Sequence, residues 1–139
     1  MAKAPVAPGL ATWFCCGSPR GSTCPTPNTT GACGTCQNRV HGCAWPNISA
    51  ACLAFDKPGA CGVHPARLPC GHHLTVVNRC TGRTVGVTIV DCGPQTNLFC
   101  HTTHCCGTTC GSNRIVDLTP AAFSAIANLA VGVLPAAVR

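Results

Sequence analysis

Cysteine constrains this chain more than any other residue type. There are 15 cysteines in 139 residues, about 11%, which is above the range that marks a disulfide scaffold. Reducing cytosol does not sustain structural disulfides at that density, so the expected setting is outside the cell or in the cell envelope. The apolar inventory agrees. Val, Ile, Leu, Met, Phe and Trp together number 31, a modest stock for one core, and cross-links would supplement it. The cysteine count is odd, so at least one thiol stays free or bridges to another molecule. Spacing does not give the pairing.

Acidic residues are nearly absent. Glu and Tyr do not occur, and Asp56, Asp91 and Asp117 are the only acidic side chains. Any chemistry needing a side-chain carboxylate must use one of these three. The formal charge of +6 comes from seven Arg and two Lys spread along the chain. No basic run forms, so a nucleic-acid arm is not expected. The charge suits either solubility or attraction to an anionic surface such as a cell wall. No stretch of 18 apolar residues occurs, so no membrane-spanning helix is expected. Met1-Ala-Lys-Ala-Pro carries no apolar segment after its charge, and the chain is read as a mature form with an added Met.

Turn residues and periodicity predict one domain over residues 10–139 behind an extended tail at 1–9. Cysteine-rich insertions are expected at 15–43 and 92–113, and within them 17–38 and 92–113 read as cross-linked loops. Leu10–Phe14 is a strand candidate, and a short helix is expected over Ile48–Phe55. Leu74–Asn78 and Thr84–Val90 read as a hairpin around Cys80-Thr81-Gly82-Arg83, with Val85, Val87 and Ile89 on one face. Arg114–Asp117 is a short strand. Thr119 caps a helix opening on Pro120, with Phe123, Ile126, Ala127 and Ala130 on one face. Gly132 ends it, and Val133–Val138 is the last strand. Short strands, little helix and long loops predict a mainly β fold, a small barrel.

Several segments resemble the rare lipoprotein A family. They are Leu68-Pro-Cys-Gly71, Leu74-Thr-Val-Val-Asn78, Thr81-Gly-Arg-Thr-Val85, Val90-Asp-Cys-Gly-Pro94 and Arg114-Ile-Val-Asp-Leu-Thr119 with the Ala-Ala-Phe that follows. Ala11-Thr-Trp-Phe14, Gly31-Ala-Cys-Gly34 and Ala60-Cys-Gly62 are similar to expansins and barwin-type proteins. The resemblance implies a six-stranded double-psi β-barrel with a shallow polysaccharide groove. It also implies a secreted protein that binds or remodels cell-wall polysaccharide of the peptidoglycan type. Asp91 matches the proposed acid of lytic transglycosylases, and Asp117 matches the aspartate needed for wall loosening. Thr12 matches a first-strand threonine of expansins, and His64 lies near a family histidine, four residues before Leu68 rather than three. Cys92 and Gly93 stand where the family has a basic residue and an aromatic one.

Lytic cleavage needs one carboxyl that first donates and then accepts a proton. Inverting hydrolysis needs two carboxylates roughly 6.5–9.5 Å apart. Asp91 and Asp117 are the candidates for the first, and an Asp91/Asp117 or Asp56/Asp117 pair for the second. The alternative is that both hold turns through backbone hydrogen bonds. Asp56, in Phe55-Asp-Lys-Pro-Gly59, reads as a turn residue. Trp13 and Trp45 could stack on sugar rings or pack inside the fold. Cys33-x-x-Cys36, and Cys105, Cys106 and Cys110 with His101 and His104, raise a zinc site. Disulfides account for these cysteines more simply, and neither metal nor cofactor is expected. A non-enzymatic alternative uses the same scaffold as a papain-type protease inhibitor or as a subunit of an extracellular assembly, with a protein partner or self-association.

Overall fold

The computed structural model describes residues 7–16, 24, 28–49, 65–94 and 102–139. Six strands close into a barrel in the order β1, β10, β5, β6, β4, β9. They are β1 Ala7–Trp13, β4 Gly42–Trp45, β5 His73–Asn78, β6 Thr84–Cys92, β9 Arg114–Leu118 and β10 Val133–Val138. Two neighbour pairs, β1/β9 and β4/β6, run parallel, and the other four are antiparallel. This mixed closed sheet is the six-stranded double-psi barrel that the sequence motifs implied. Closure leaves no open sheet edge within the barrel.

Strand β6 shows why these residues close a barrel. Val85, Val87 and Ile89 are buried and meet the interior, while Thr84 and Gly86 are exposed. Strand β5 matches it in register, with Leu74 opposite Val87 and Val76 opposite Val85. Gly82, at φ 80°, makes the turn between them, and its N–H donates to the Asn78 carbonyl at 2.7 Å. Ile115, Leu118, Leu134, Ala136 and Val138 complete the inner lining, and Trp45 and Phe123 are fully buried beside them.

Three expectations are revised. The first strand runs Ala7–Trp13 instead of Leu10–Phe14, because β10 pairs with it back to Ala7. The two cysteine-rich segments are not plain loops. One contains hairpin β2 Asn28–Gly31 with β3 Gly34–Gln37, and the other contains hairpin β7 Thr103–Cys106 with β8 Thr109–Ser112. Gly34 (φ 105°) and Gly107 (φ 64°) supply the turn conformations, and a disulfide joins the cross-strand partners Cys105 and Cys110. The helix is also shorter than its periodicity suggests. Helix α1 covers Pro120–Ser124, and a separate 3₁₀ turn covers Leu129–Val131. The Asn128 side chain accepts from the Ala130 N–H, so it caps a new turn in place of extending the old helix. Of the helix expected over Ile48–Phe55, Ile48 forms a β-bridge with Leu68; residues 50–55 lie outside the described residues.

Five disulfides join described cysteines: Cys15–Cys24, Cys16–Cys36, Cys33–Cys70, Cys80–Cys106 and Cys105–Cys110. Cys33 and Cys36, the pair that raised zinc, enter different disulfides. Cys80–Cys106 ties hairpin β7/β8 to the β5–β6 turn, and Gly111 of that hairpin lies against Gly9, Leu10 and Pro135. No helix among the described residues is long and apolar enough to cross a membrane.

Candidate functional site

Register alone brings the two aspartates into one row. Thr12 on β1 pairs with Asp117 on β9, Asp117 pairs with Ala44 on β4, and Ala44 pairs with Asp91 on β6. Directly paired residues share a face of the sheet. One step back, Cys43 pairs with Leu118 and with Ile89, all buried in the core, so the Asp row lies on the outside. Asp91 and Asp117 thus stand two inter-strand steps apart, roughly 10 Å between backbones.

A register shift explains how Asp91 reaches that face. Between Cys43 and Ala44 the partner on β6 advances from Ile89 to Asp91. Side chains alternate along a strand, so without the extra residue Val90 the odd positions would all face inward. A second shift, between Leu10 and Ala11, does the same for Asp117 around Ile115. The sequence shows the Asp residues but not the bulges that aim them.

The two carboxylates have different surroundings. Thr12 is 1% exposed, and its hydroxyl donates to Asp117 Oδ1 at 2.8 Å. Thr12 therefore orients Asp117 from beneath and offers no surface of its own. Asp91 Oδ1 accepts two backbone N–H bonds, from Cys92 at 2.8 Å and from Ala32 at 2.9 Å. Ala32 belongs to the β2–β3 turn, and Cys33 N–H donates to the Val90 carbonyl at 3.2 Å. The hairpin sits so close that a Cβ on Gly31 would come 2.7 Å from Val90 O and 3.0 Å from Asp91 Cγ. Asp91 is thus the seat of a hairpin. Hairpin β7/β8 packs elsewhere, on β1 and β10.

Both tryptophans lie inside the fold. Trp13 is 7% exposed, with its indole N–H on the Leu129 carbonyl at 3.0 Å. Trp45 is fully buried, with its N–H on the Ala66 carbonyl at 2.8 Å. Among the described residues no Phe or Trp ring is exposed. His64, Asp56 and His101 lie outside the described residues.

Sequence reasoning missed strand β4 and the loop before it. Gly42-Cys43-Ala44-Trp45 is a short apolar run before Pro46-Asn47, which is the signature of a buried strand. The loop Asn38–His41 is clamped from several sides. Asn38 Oδ1 accepts from Cys16 N–H at 2.7 Å, and the Asn38 carbonyl accepts from Ala121 N–H at 3.1 Å. Thr119 Oγ1 donates to the Val40 carbonyl at 2.6 Å and accepts from Gly42 N–H at 3.1 Å. Arg39, Val40 and His41 are left exposed. Beside this loop lies a shallow cavity of about 210 Å³ lined by Thr35, Gln37, Val40, Gly42 and Val90.

Cys43 is the free cysteine among the described residues, and it is fully buried. It is therefore unable to make the intermolecular bridge that the odd count allowed. Burial, and then the neighbouring Asp117 carboxylate, push its thiol far above the ordinary value of 9.0. Iodoacetamide at about pH 9 should leave Cys43 unmodified in the folded protein and alkylate it after denaturation, as read by peptide mass spectrometry. Above that pH the unfolded thiol ionises and the folded one does not, so this group's contribution to stability falls as pH rises. The alkaline loss should be smaller in Cys43→Ala. Alkylation of native Cys43 at the unfolded rate would contradict its burial.

No family model matches this chain, and no curated protein matches it in sequence. Solved structures do share its architecture. A Streptomyces papain inhibitor aligns with a TM-score of 0.50 at 20% identity, covering 95% of this chain and 89% of that one. A Clavibacter michiganensis expansin aligns with a TM-score of 0.49 at 21% identity, covering 95% of this chain and 48% of that one. A point mutant of that expansin in complex with cellohexaose gives the same values. The likeness to the papain inhibitor, together with the closed barrel and its strand order, establishes the fold of this chain.

Proposed function

We propose that this chain is a secreted module that binds cell-wall polysaccharide across strands β6, β4 and β9 without cleaving it. The observation that carries this reading is the outer row Thr12–Asp117–Ala44–Asp91. A carboxylate oriented from below by Thr12 can accept sugar hydroxyls, and Ala44, buried between the two aspartates, puts no bulky side chain between them. Successive hexoses of a strand lying across the sheet would match successive inter-strand steps. The five disulfides among the described residues suit an oxidising compartment.

Binding is favoured over lytic cleavage by the state of Asp91. A transglycosylase acid must reach the glycosidic oxygen, but Asp91 holds the Ala32 and Cys92 N–H groups beneath a hairpin. Hydrogen bonds to charged groups contribute about 1.5–3 kcal/mol. Asp117→Ala should therefore weaken retention on insoluble wall glycan by roughly 10–100-fold. It should also lower the melting temperature by several degrees without unfolding the chain at the assay temperature, because the buried Thr12 hydroxyl loses its acceptor. Wild type should release no soluble anhydro-sugar fragments. Unchanged retention in Asp117→Ala would overturn the reading, and released fragments would restore the enzyme.

The clamped Arg39-Val40-His41 loop favours a second reading, in which the barrel binds a protein. Val40 is 50% exposed on a backbone fixed by Thr119 and Asn38, and a preordered loop loses little entropy on docking. Titration against papain tests it: stoichiometric inhibition abolished by Val40→Asp would favour this reading over the glycan one.

A further inference from the structure

We propose that the cavity between hairpin β2/β3 and the barrel is a recognition pocket for the 2-acetamido group of an N-acetylated hexosamine glycan. This rests on the polysaccharide reading above and names the substrate class. The pocket opens beside the Asp row: Val90 directly precedes Asp91, and Gly42 lies two residues before Ala44 on the neighbouring strand.

An acetamido group presents one methyl, one carbonyl acceptor and one N–H donor. The lining answers each part. Val40 and Val90 supply the apolar wall for the methyl. Thr35 and Gln37 alternate with Cys36 along β3, so they share a face, while Cys36 is turned inward and tied to Cys16. The Gln37 carboxamide both donates and accepts, and the Thr35 hydroxyl can do either. Thr35 is exposed and Gln37 half-buried, so both side chains reach the surface. Among the described residues no charged side chain lines the cavity, and a neutral group fits that lining better than a carboxylate or phosphate. Its volume of about 210 Å³ lies below the roughly 300–1,000 Å³ of sites for larger ligands, which suits one sugar substituent.

Gly42 keeps the pocket open. A Cβ there would stand 3.2 Å from a Val90 methyl and 3.4 Å from the Thr119 methyl. The hairpin that covers Asp91 therefore brings a specificity wall with it, since β3 carries Thr35 and Gln37.

Calorimetric titration of the whole chain with a fully N-acetylated glucosamine hexamer and with cellohexaose tests this. The N-acetylated hexamer should bind roughly tenfold or more tightly, the gain expected from one or two neutral hydrogen bonds and a buried methyl. Gln37→Ala and Thr35→Ala, each checked for an unchanged melting temperature, should bring the ratio toward one. Equal affinity for the two wild-type ligands would overturn the pocket while leaving glycan binding in place. A preference that survives both substitutions would also overturn it. Binding to neither hexamer would overturn the pocket and the glycan reading together.

Discussion

Replacing Cys33 and Cys70 together by serine should lower the melting temperature by about 10 °C and free hairpin β2/β3 from Asp91. The bridge spans 37 residues. In the chain-entropy account a loop of that length restrains the unfolded state by about 4 kcal/mol, against about 2 kcal/mol for the 5-residue Cys105–Cys110 loop. For a chain of this size each kcal/mol moves the midpoint by roughly 2–4 °C. The larger loss therefore belongs to the bridge at the candidate site. Its effect is also local. Gly31, Ala32 and Cys33 reach the barrel through backbone bonds to Asp91 and Val90, and Cys33–Cys70 anchors that turn beside the start of β5. Calorimetry of both double-serine variants measures the difference, and amide exchange at Ala32 reports the hairpin. Equal losses in the two variants, or unchanged protection at Ala32, would show that packing on Gly31 holds the hairpin without the bridge.

The parts of this fold legible in the sequence are those that local pattern determines. Alternation along Thr84–Val90 and the Thr-Gly-Arg turn before it locate the β5/β6 hairpin closely. The Thr119-Pro120 start of the helix is equally local: the Thr119 side chain accepts from Ala122 N–H, and Pro occupies the first turn. Both hairpins in the cysteine-rich segments escape that logic, because their strands are short, Thr- and Cys-rich and held by disulfides to distant residues. Strand β4 escapes because all four of its residues are buried, so it shows no alternation. At the site, a family resemblance picks out Asp91, Asp117 and Thr12, but only three-dimensional pairing relates them. Two register shifts turn the aspartates outward. For Trp13, which the sequence leaves open to sugar stacking but favours for packing, the indole N–H on the Leu129 carbonyl and 7% exposure place it in the core.

Phe123→Ala should cost about 3–5 kcal/mol, the range for emptying a fully buried aromatic site, and should loosen the cavity some distance from the mutated ring. Phe123 is fully buried, and with Ala122 it forms the buried face of α1. Five residues are too few to hold a helix on propensity, so docking of Phe123 keeps α1 in place. Thr119, the cap of that helix, also holds the Val40 carbonyl and the Gly42 N–H. Undocking α1 would release two walls of the cavity at once. Phe123→Leu keeps most of the volume and should cost less than about 1.5 kcal/mol. Urea unfolding gives the stability difference, and exchange of the Gly42 amide reports the loop. A large loss of stability with Gly42 protected as in wild type would mean that barrel pairing alone fixes the loop. Faster Gly42 exchange in Phe123→Ala than in Phe123→Leu, at matched stability under mild urea, would show that the short helix holds the pocket in shape.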